Sequence, residues 1–271
     1  MKGSGSTRMT EILIWLWTAT VLAFLYVPML AVILASVSKQ RYFRFPINRW
    51  TTEWYTKTME SLSVRDLLWT SLSVAALVTL FSVVLAFFGA LAFARYDWKG
   101  RKLYQRLVLL PIFFPQAVLG LALLLWFSAL GITTSWHTAV FAHMIWIVPI
   151  VILIMSIQAY SFDPALEEAA FDLGASRWQV LREVTLPILA PGVVSGGIFA
   201  FLLSWGNFPL SLFSTGADQT VPEWLYAKMV SGYTPMVPTL GSLTMPSAGL
   251  MLLAVYLAWL AMAARRRHLM Q

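Results

Sequence analysis

The 271-residue chain contains no cysteine, and charged residues make up only 11% of it. Without cysteine there is no disulfide framework and no thiolate metal site. His, Asp and Glu do not cluster as metal ligands would, and no G-x-x-x-x-G-K-[ST] phosphate-binding loop occurs. No nucleophile and base lie together in an apolar segment. We therefore expect no bound cofactor, no ATPase site and no enzyme activity in this chain.

Hydrophobic residues make up 59% of the chain, and its mean hydropathy is +0.73. A water-soluble fold cannot bury that much apolar surface. A bilayer core about 30 Å thick requires roughly 20 apolar residues for each helical span. The sequence predicts an all-α integral membrane protein with six transmembrane helices. Their expected bounds are about Ile12–Val37, Leu67–Ala94, Leu107–Leu130, Thr138–Tyr160, Ile188–Phe213 and Leu243–Ala264.

The charged residues lie between these spans. All 12 Asp and Glu residues fall outside them, as the cost of placing a carboxylate in a bilayer requires. Most of the 19 Lys and Arg residues lie on the side of the two termini. The positive-inside rule therefore places both termini in the cytoplasm, for a chain in a bacterial inner membrane. The basic residues form no single face, which argues against nucleic-acid binding.

The predicted organisation has four parts. Residues 1–10 form a short polar tail, and residues 11–66 hold the first transmembrane helix and a periplasmic connection. Residues 67–264 form a core domain of five transmembrane helices, and residues 265–271 form a basic cytosolic tail.

The connection between the fourth and fifth spans, residues 161–187, is longer than a turn requires. Asp163-Pro164 predicts a helix start, and Gly174 predicts a left-handed helix end. The stretch from Ser176 to Gln179 has capping-box spacing, and we expect Leu186-Pro187 to end this second short helix. The segment is either a knob that fits a partner's groove or an ordinary loop with two interfacial helices. Its acidic residues outnumber its arginines, which argues against a DNA-reading helix-turn-helix.

Part of this connection follows a known pattern. Glu168-Ala169-Ala170, Gly174 and Val184-Thr185-Leu186-Pro187 match E-A-A-x3-G-x9-I-x-L-P, with valine in place of the usual isoleucine. This resembles the EAA loop of ATP-binding-cassette (ABC) importer permeases, and its surroundings are similar to the spermidine/putrescine type. The likeness extends over most of the chain after residue 60. It implies the type I importer permease (MetI-like) fold, with a cytoplasmic coupling helix between transmembrane helices 4 and 5.

The resemblance also implies how this segment works. Its first helix docks into a cleft of a separate ATPase subunit, which binds ATP and Mg, and closure of two ATPases switches two permeases between inward-facing and outward-facing states. The expected partners are two ATPase subunits, a second, homologous permease, a periplasmic solute-binding protein and membrane lipid. The expected coupling residues are Glu167, Glu168, Ala169, Ala170, Asp172, Leu173, Gly174, Ser176, Leu186 and Pro187.

Polar and aromatic residues of the later spans are candidates to line a solute pathway, because lipid-facing positions have no use for them. In the fifth span, the stretch 204–209 (SWGNFP) breaks the apolar run and offers hydrogen bonds and a ring face to a cation. The expected pathway residues are Gln116, Ser204, Trp205, Asn207 and Phe208. The alternatives are a packing kink in the fifth span, with Trp205 at the membrane interface, and a plain proline-kinked third span.

Other residues of these spans have a packing interpretation. Gly192, Ser195, Gly196 and Gly197 predict close approach of the fifth span to its neighbours. His143 is expected to be a packed, hydrogen-bonded residue and not a proton relay.

The solute is predicted only as a class. Polyamine permeases tend to carry an acidic pair where this chain has Gly206-Asn207, so we expect a small polar or cationic solute of the polyamine, opine or amino-acid-derivative class. The alternatives are an ion-coupled secondary transporter, which would usually show an inverted repeat or ionisable groups in the membrane, and a scaffold without transport.

Overall fold

The computed structural model describes residues 4–42 and 44–268, and these residues form helices and no β-strand. The all-α prediction is confirmed. The helices are α1 (Ser4–Ser36), α2 (Glu53–Glu60), α3 (Leu62–Ala90), α4 (Arg101–Leu107), α5 (Leu110–Phe113), α6 (Gln116–Ala129), α7 (Trp136–Ser161), α8 (Ala165–Asp172), α9 (Arg177–Val180), α10 (Leu186–Trp205), α11 (Ser211–Ser214), α12 (Val221–Ser231) and α13 (Met236–His268). There are two π-helical segments: Leu91–Arg95 directly follows α3, and Leu181–Thr185 directly precedes α10. Helix α1 already includes residues 4–10 of the predicted polar tail, while residues 1–3 and 269–271 lie outside the described residues.

Five helical runs are long and apolar enough to cross a membrane. They are Arg8–Ser36, Leu62–Arg95, Trp136–Ser161, Arg177–Trp205 and Met236–Leu257. Two further apolar helical pieces, Arg101–Phe113 and Gln116–Ala129, differ in direction by 99°, and they form either a broken span or a re-entrant loop. Each of the six predicted spans thus has a counterpart.

The third span is not the single helix that was predicted for Leu107–Leu130. The chain leaves the helix at Phe114, whose backbone is extended (φ −82°, ψ 134°), and re-enters it after Pro115. Steric contact with a following proline pushes a residue out of the helical region. The proline therefore separates α5 from α6.

Two other predicted bounds are wrong. The fifth span ends at Trp205 and not at Phe213, because the chain turns at Gly206 before the short helix α11. The sixth span begins at Met236 and not at Leu243. Its first turn contains Pro238, and a proline is tolerated there because the first amides of a helix have no partner within it.

Leu186-Pro187 does not end the second short helix of the 161–187 connection. The backbone continues from α9 through the π-helical segment into α10, and the amide of Leu186 bonds to the carbonyl of Leu181. The π turn places an extra residue in the helix before Pro187, which has no amide hydrogen to donate. The helix therefore passes through this proline.

Backbone contacts divide the chain into two compact units. One contains the residues up to Val64 together with Leu225–Met251. In it the Tyr55 hydroxyl bonds to the hydroxyls of Ser36 (2.6 Å) and Ser242 (2.9 Å), which links α2 to α1 and α13.

The other unit contains Arg65–Trp224 and the residues from Leu252 onward. Its core lies around α7 and α10, where glycines permit close contact. A Cβ atom on Gly196 would lie 2.9 Å from Val151, and one on Gly192 would lie 3.0 Å from Gln158. The predicted close packing of the fifth span is confirmed at these two positions.

Candidate functional site

Local sequence signals set the ends of α8. The Asp163 carboxylate accepts a hydrogen bond from the amide of Ala165 (3.0 Å), as expected of a side chain that caps a helix start. At the other end Gly174 has a φ of +84°. The amide of Ala175 bonds to the carbonyl of Ala170 (3.0 Å), which completes a glycine-terminated helix end. The predicted start and stop are confirmed.

Helix α9 begins with the predicted capping box. The amide of Gln179 donates to the Ser176 hydroxyl (3.3 Å), and the amide of Ser176 donates to the Gln179 side chain (2.8 Å). Two amides that lack helical partners are thereby satisfied. The 161–187 connection is therefore an ordered structure with a defined turn between α8 and α9.

One surface of α8 and its flanking turn is exposed and combines acidic and apolar groups. We call it the α8 face, and it consists of Leu166, Glu168, Ala169, Asp172 and Leu173. Leu173 is 89% exposed and Leu166 is 50% exposed. A face that combines exposed leucines with acidic groups suits contact with another protein or with the membrane interface.

The remaining predicted coupling residues lie elsewhere. Ala170 is half-buried, while Gly174 and Ser176 are exposed in the turn between α8 and α9. Leu186 and Pro187 are exposed at the start of α10, beyond the π-helical segment.

Glu167 does not belong to the exposed surface. It is buried, and its carboxylate is shared between Arg95 Nη2 (2.8 Å) and Thr185 Oγ1 (2.6 Å). The guanidinium of Arg95 also lies over the Phe162 ring, at 4.7 Å from its centroid. Arg95 and Thr185 are the last residues of the two π-helical segments. Glu167 therefore fastens α8 to the ends of two spans.

The sequence prediction missed Arg95 and Thr185. The sequence prediction uses Arg95 only as one of the 19 basic residues that indicate orientation, although a cation at the end of a span is a natural partner for a buried acid. Partial burial, followed by the negative charge of Glu167, raises the pKa of the neighbouring Tyr96 hydroxyl above its ordinary value. Tyr96 is therefore uncharged at neutral pH.

Three of the five predicted pathway residues come together in a polar cluster that is buried except for the half-buried Gln116. We define this cluster as Gln116, His143, Ser204, Asn207 and Ser211. His143 lies between the hydroxyls of Ser204 (Nδ1, 2.9 Å) and Ser211 (Nε2, 3.0 Å). Asn207 Nδ2 donates to Gln116 Oε1 (3.4 Å). The prediction that His143 is a packed, hydrogen-bonded residue is confirmed.

Asn207 also has a structural task in this cluster. Its side-chain oxygen accepts the amide of Leu210 (3.0 Å), and its carbonyl accepts the Ser211 hydroxyl (2.8 Å). Ser211 was missed by the sequence prediction, although its position four residues after Asn207 is the spacing at which a helical hydroxyl reaches a carbonyl.

The other two predicted pathway residues lie outside these hydrogen bonds. Trp205 is half-buried, and its ring stacks on Phe201 with centroids 5.8 Å apart. Phe208 is half-buried as well. The close approach of α6 to the chain after α10 depends on Gly120, where a Cβ atom would lie 2.9 Å from Phe213 and 3.1 Å from the carbonyl of Pro209.

A comparison with known families matches residues 82–269 to the family described as the inner membrane component of binding-protein-dependent transport systems. The chain belongs to this family.

Among curated proteins, the permease is 29% identical over 235 residues to the spermidine/putrescine transport system permease protein PotC of Escherichia coli (strain K12). That alignment covers 86% of this chain and 88% of the relative. This chain is also 33% identical over 175 residues to the molybdenum transport system permease protein ModB of Haemophilus influenzae (strain ATCC 51907 / DSM 11121 / KW20 / Rd). The second alignment covers 58% of this chain and 76% of the relative.

Among solved structures, the permease resembles a bacterial ABC transporter that imports the acidic polysaccharide alginate. The TM-score is 0.69 at 19% identity, and the match covers 94% of this chain and 98% of the other. This likeness shows the fold. The chain is thus a multi-pass inner-membrane permease component of an ABC importer with the MetI-like fold.

Proposed function

We propose that the chain forms half of a translocation pathway and that α8 is its coupling helix, which docks on an ATPase subunit in the cytoplasm. Both termini then lie on the same side as α8. Two ATPase subunits bind ATP and Mg, and the assembled complex hydrolyses ATP. The observation that carries this proposal is the α8 face, an exposed acidic and apolar surface on a helix that Glu167 fastens to two spans.

The contacts of Glu167 with Arg95 and Thr185 support a route by which a movement of α8 reaches the membrane spans. A displacement of α8 pulls on Arg95 at the end of α3's π-helical extension and on Thr185 at the start of the fifth span. Because the ion pair and the hydrogen bond share one carboxylate, the three elements move together. Such rigid-body movement suits switching between inward-facing and outward-facing states.

The docking role is tested by charge reversal on the α8 face. In the importer purified through a tag on this permease, Glu168→Lys is expected to abolish co-purification of the ATPase. Glu183→Lys is the matched control, because Glu183 is also an exposed acid of the connection but lies in the π-helical segment. Retention of the ATPase by Glu168→Lys, or equal loss in both variants, would contradict the proposal.

We further propose that the solute passes beside the polar cluster and is a small polar or cationic molecule of the polyamine, opine or amino-acid-derivative class. PotC supports the polyamine class by its name. The cluster supplies amide, hydroxyl and imidazole groups and no carboxylate. A second permease, different from this chain but homologous to it, then supplies the charge, and a periplasmic binding protein delivers the solute.

The position of the solute is tested at Asn207. Asn207→Ala removes both its amide contact to Gln116 and its bond to the Leu210 amide, whereas Asn207→Asp retains an oxygen for that amide. For a cationic solute we expect a raised KM of uptake in Asn207→Ala and a lowered KM in Asn207→Asp. Unchanged uptake kinetics in both variants would place the solute elsewhere. Thermal-shift screening of the binding protein against amines, opines and amino acids identifies the solute.

A further inference from the structure

A basic cavity lies beside α4, at the ends of α3 and α7, and the proposed function does not use it. Its volume is about 600 Å³. Two cations, Lys102 and Arg106, line it together with apolar and aromatic side chains that include Leu110, Phe113 and Tyr160. The cavity therefore joins positive charge to an apolar wall.

Hydrogen bonds fix one side of α4 to the end of the preceding span. Arg101 donates to the carbonyls of Phe93 (3.1 Å) and Ala94 (3.2 Å), and Gln105 donates to the carbonyl of Phe93 (2.7 Å). Lys102 and Arg106 each follow one of these anchoring residues. Their spacing of four residues places the two cations side by side on the next face of the helix.

The charge of these two residues is uncompensated within the part of the chain that the structure describes. Both side chains are exposed, and no Asp or Glu of the described residues lies within ion-pair distance of either. Arg101 differs from them because backbone carbonyls satisfy it. Lys102 and Arg106 thus present two free cations at the mouth of an apolar cavity.

We propose that this cavity binds an anionic phospholipid of the inner leaflet. The phosphate lies between Lys102 and Arg106, and an acyl chain follows Leu110 and Phe113 toward the bilayer. Basic pockets between membrane helices suit anionic headgroups, and α5 belongs to the bent pair of apolar helices that is the candidate for the third span. A free soluble anion would match the cations and leave the apolar wall uncovered.

The leaflet assignment rests on the proposed function. The Arg95–Glu167 ion pair places the chain around α4 on the same side of the membrane as α8. If α8 meets a cytoplasmic ATPase, the cavity opens at the inner leaflet. Lipid binding to the cavity does not depend on the leaflet assignment, and it can be measured whether or not the ATPase docks on α8.

The test compares lipid retention by native mass spectrometry of the detergent-purified importer, at equal concentrations of phosphatidylglycerol and phosphatidylcholine. Wild type is expected to retain phosphatidylglycerol selectively. A basic residue near an anionic surface contributes about 1 kcal/mol, so Lys102→Gln with Arg106→Gln is expected to raise the Kd for phosphatidylglycerol roughly 30-fold. Lys99→Gln is the matched control, since it removes an exposed cation of the same connection that does not line the cavity.

A second variant tests the acyl chain. Phe113→Ala is expected to weaken phosphatidylglycerol binding while competition by free glycerol 3-phosphate stays weak in every variant. Equal retention of the two lipids by wild type, or unchanged retention in the double variant, would overturn the proposal. Dissociation of the second permease from the double variant would overturn it as well, because it would assign the two cations to a subunit contact.

Measuring both ATPase retention and lipid retention in each variant distinguishes failure of the lipid site from failure of the coupling role of α8. The double variant is expected to retain the ATPase during purification, and Glu168→Lys is expected to retain the lipid. A wild-type permease that binds phosphatidylglycerol and never brings down an ATPase would contradict the coupling role and the leaflet assignment, and it would leave the lipid site itself supported.

Discussion

Glu167 and Glu168 are neighbours in the sequence and have opposite surroundings. Glu167 is buried against Arg95 and Thr185, whereas Glu168 is exposed on the α8 face. Consecutive residues of a helix differ in direction by about 100°, because one turn takes 3.6 residues. One of the two acids therefore holds the helix in place, and the other is free to contact a partner.

This difference predicts two separable phenotypes. Glu167→Ala leaves the Arg95 guanidinium without its carboxylate, and we expect it to lower the free energy of unfolding by about 2 kcal/mol. Glu168→Ala is the matched control and should leave stability unchanged, because its carboxylate is in solvent. Thermal unfolding of both variants in the same detergent measures the effect, and equal melting temperatures would contradict the role of Glu167.

The sequence could not assign these roles. The E-A-A pattern marks the acidic turn of α8, but which acid faces inward depends on where Arg95 lies, and Arg95 is separated from Glu167 by two further crossings. The polar cluster shows the same limit. Gln116, Ser204 and Asn207 were predicted one by one as pathway residues, while their joining through His143 and Ser211 needed the packing of α6, α7 and α10.

Helix ends that depend on neighbouring residues were predicted well. Asp163, Gly174 and the capping box of α9 act within a few residues of themselves, so the local sequence contains the whole signal. Proline shows where such reasoning fails. Pro115 separates two helices at an angle of 99°, whereas Pro149 and Pro191 lie inside α7 and α10. The outcome at each proline depends on whether tertiary packing supports a continued helix.

The left-handed turn at Gly174, after α8, allows a test of whether its backbone conformation is needed for coupling. Gly174 has open space around its missing side chain, so a substitution there is limited by the backbone alone. A β-branched residue is strained at positive φ, at a cost of roughly 1–2 kcal/mol, whereas asparagine tolerates this conformation. We expect Gly174→Val to lower solute-stimulated ATP hydrolysis by the importer and Gly174→Asn to retain most of it.

The comparison of these two variants separates the effect of the backbone conformation at Gly174 from the effect of adding a side chain there. Asparagine is of similar size to valine, so wild-type activity in both variants would show that the backbone conformation at Gly174 does not matter. Equal loss in both would point instead to a surface that tolerates no side chain at this position.

At the scale of the whole chain, contacts within the larger unit constrain the number of crossings. Helix α7 runs through the membrane once from Trp136 to Ser161, and Arg95 at the end of the second span pairs with Glu167 beyond the far end of α7. Arg95 and the start of α7 are therefore on opposite sides. A crossing by the bent pair between them accounts for this and agrees with the six spans predicted from the sequence.

The bond between the amide of Trp136 and the carboxylate of Asp218 (3.1 Å) agrees with this order, because it joins the third connection to the fifth. The distribution of Lys and Arg predicts which side is the cytoplasm, through the positive-inside rule. Composition predicted the apolar spans before any packing was known, since each carboxylate could be placed outside a span.

The absence of cysteine makes the orientation directly measurable, because a single introduced thiol is the only site for a maleimide reagent. Arg177→Cys lies on the exposed start of α9, and Gln219→Cys lies in the exposed turn on the opposite side. A membrane-impermeant maleimide is expected to label Gln219→Cys in intact spheroplasts and Arg177→Cys only in inverted vesicles. The cysteine-free parent gives the background. Labelling of Arg177→Cys from outside would place α8 away from any cytoplasmic ATPase and would remove both its coupling role and the inner-leaflet assignment of the lipid cavity.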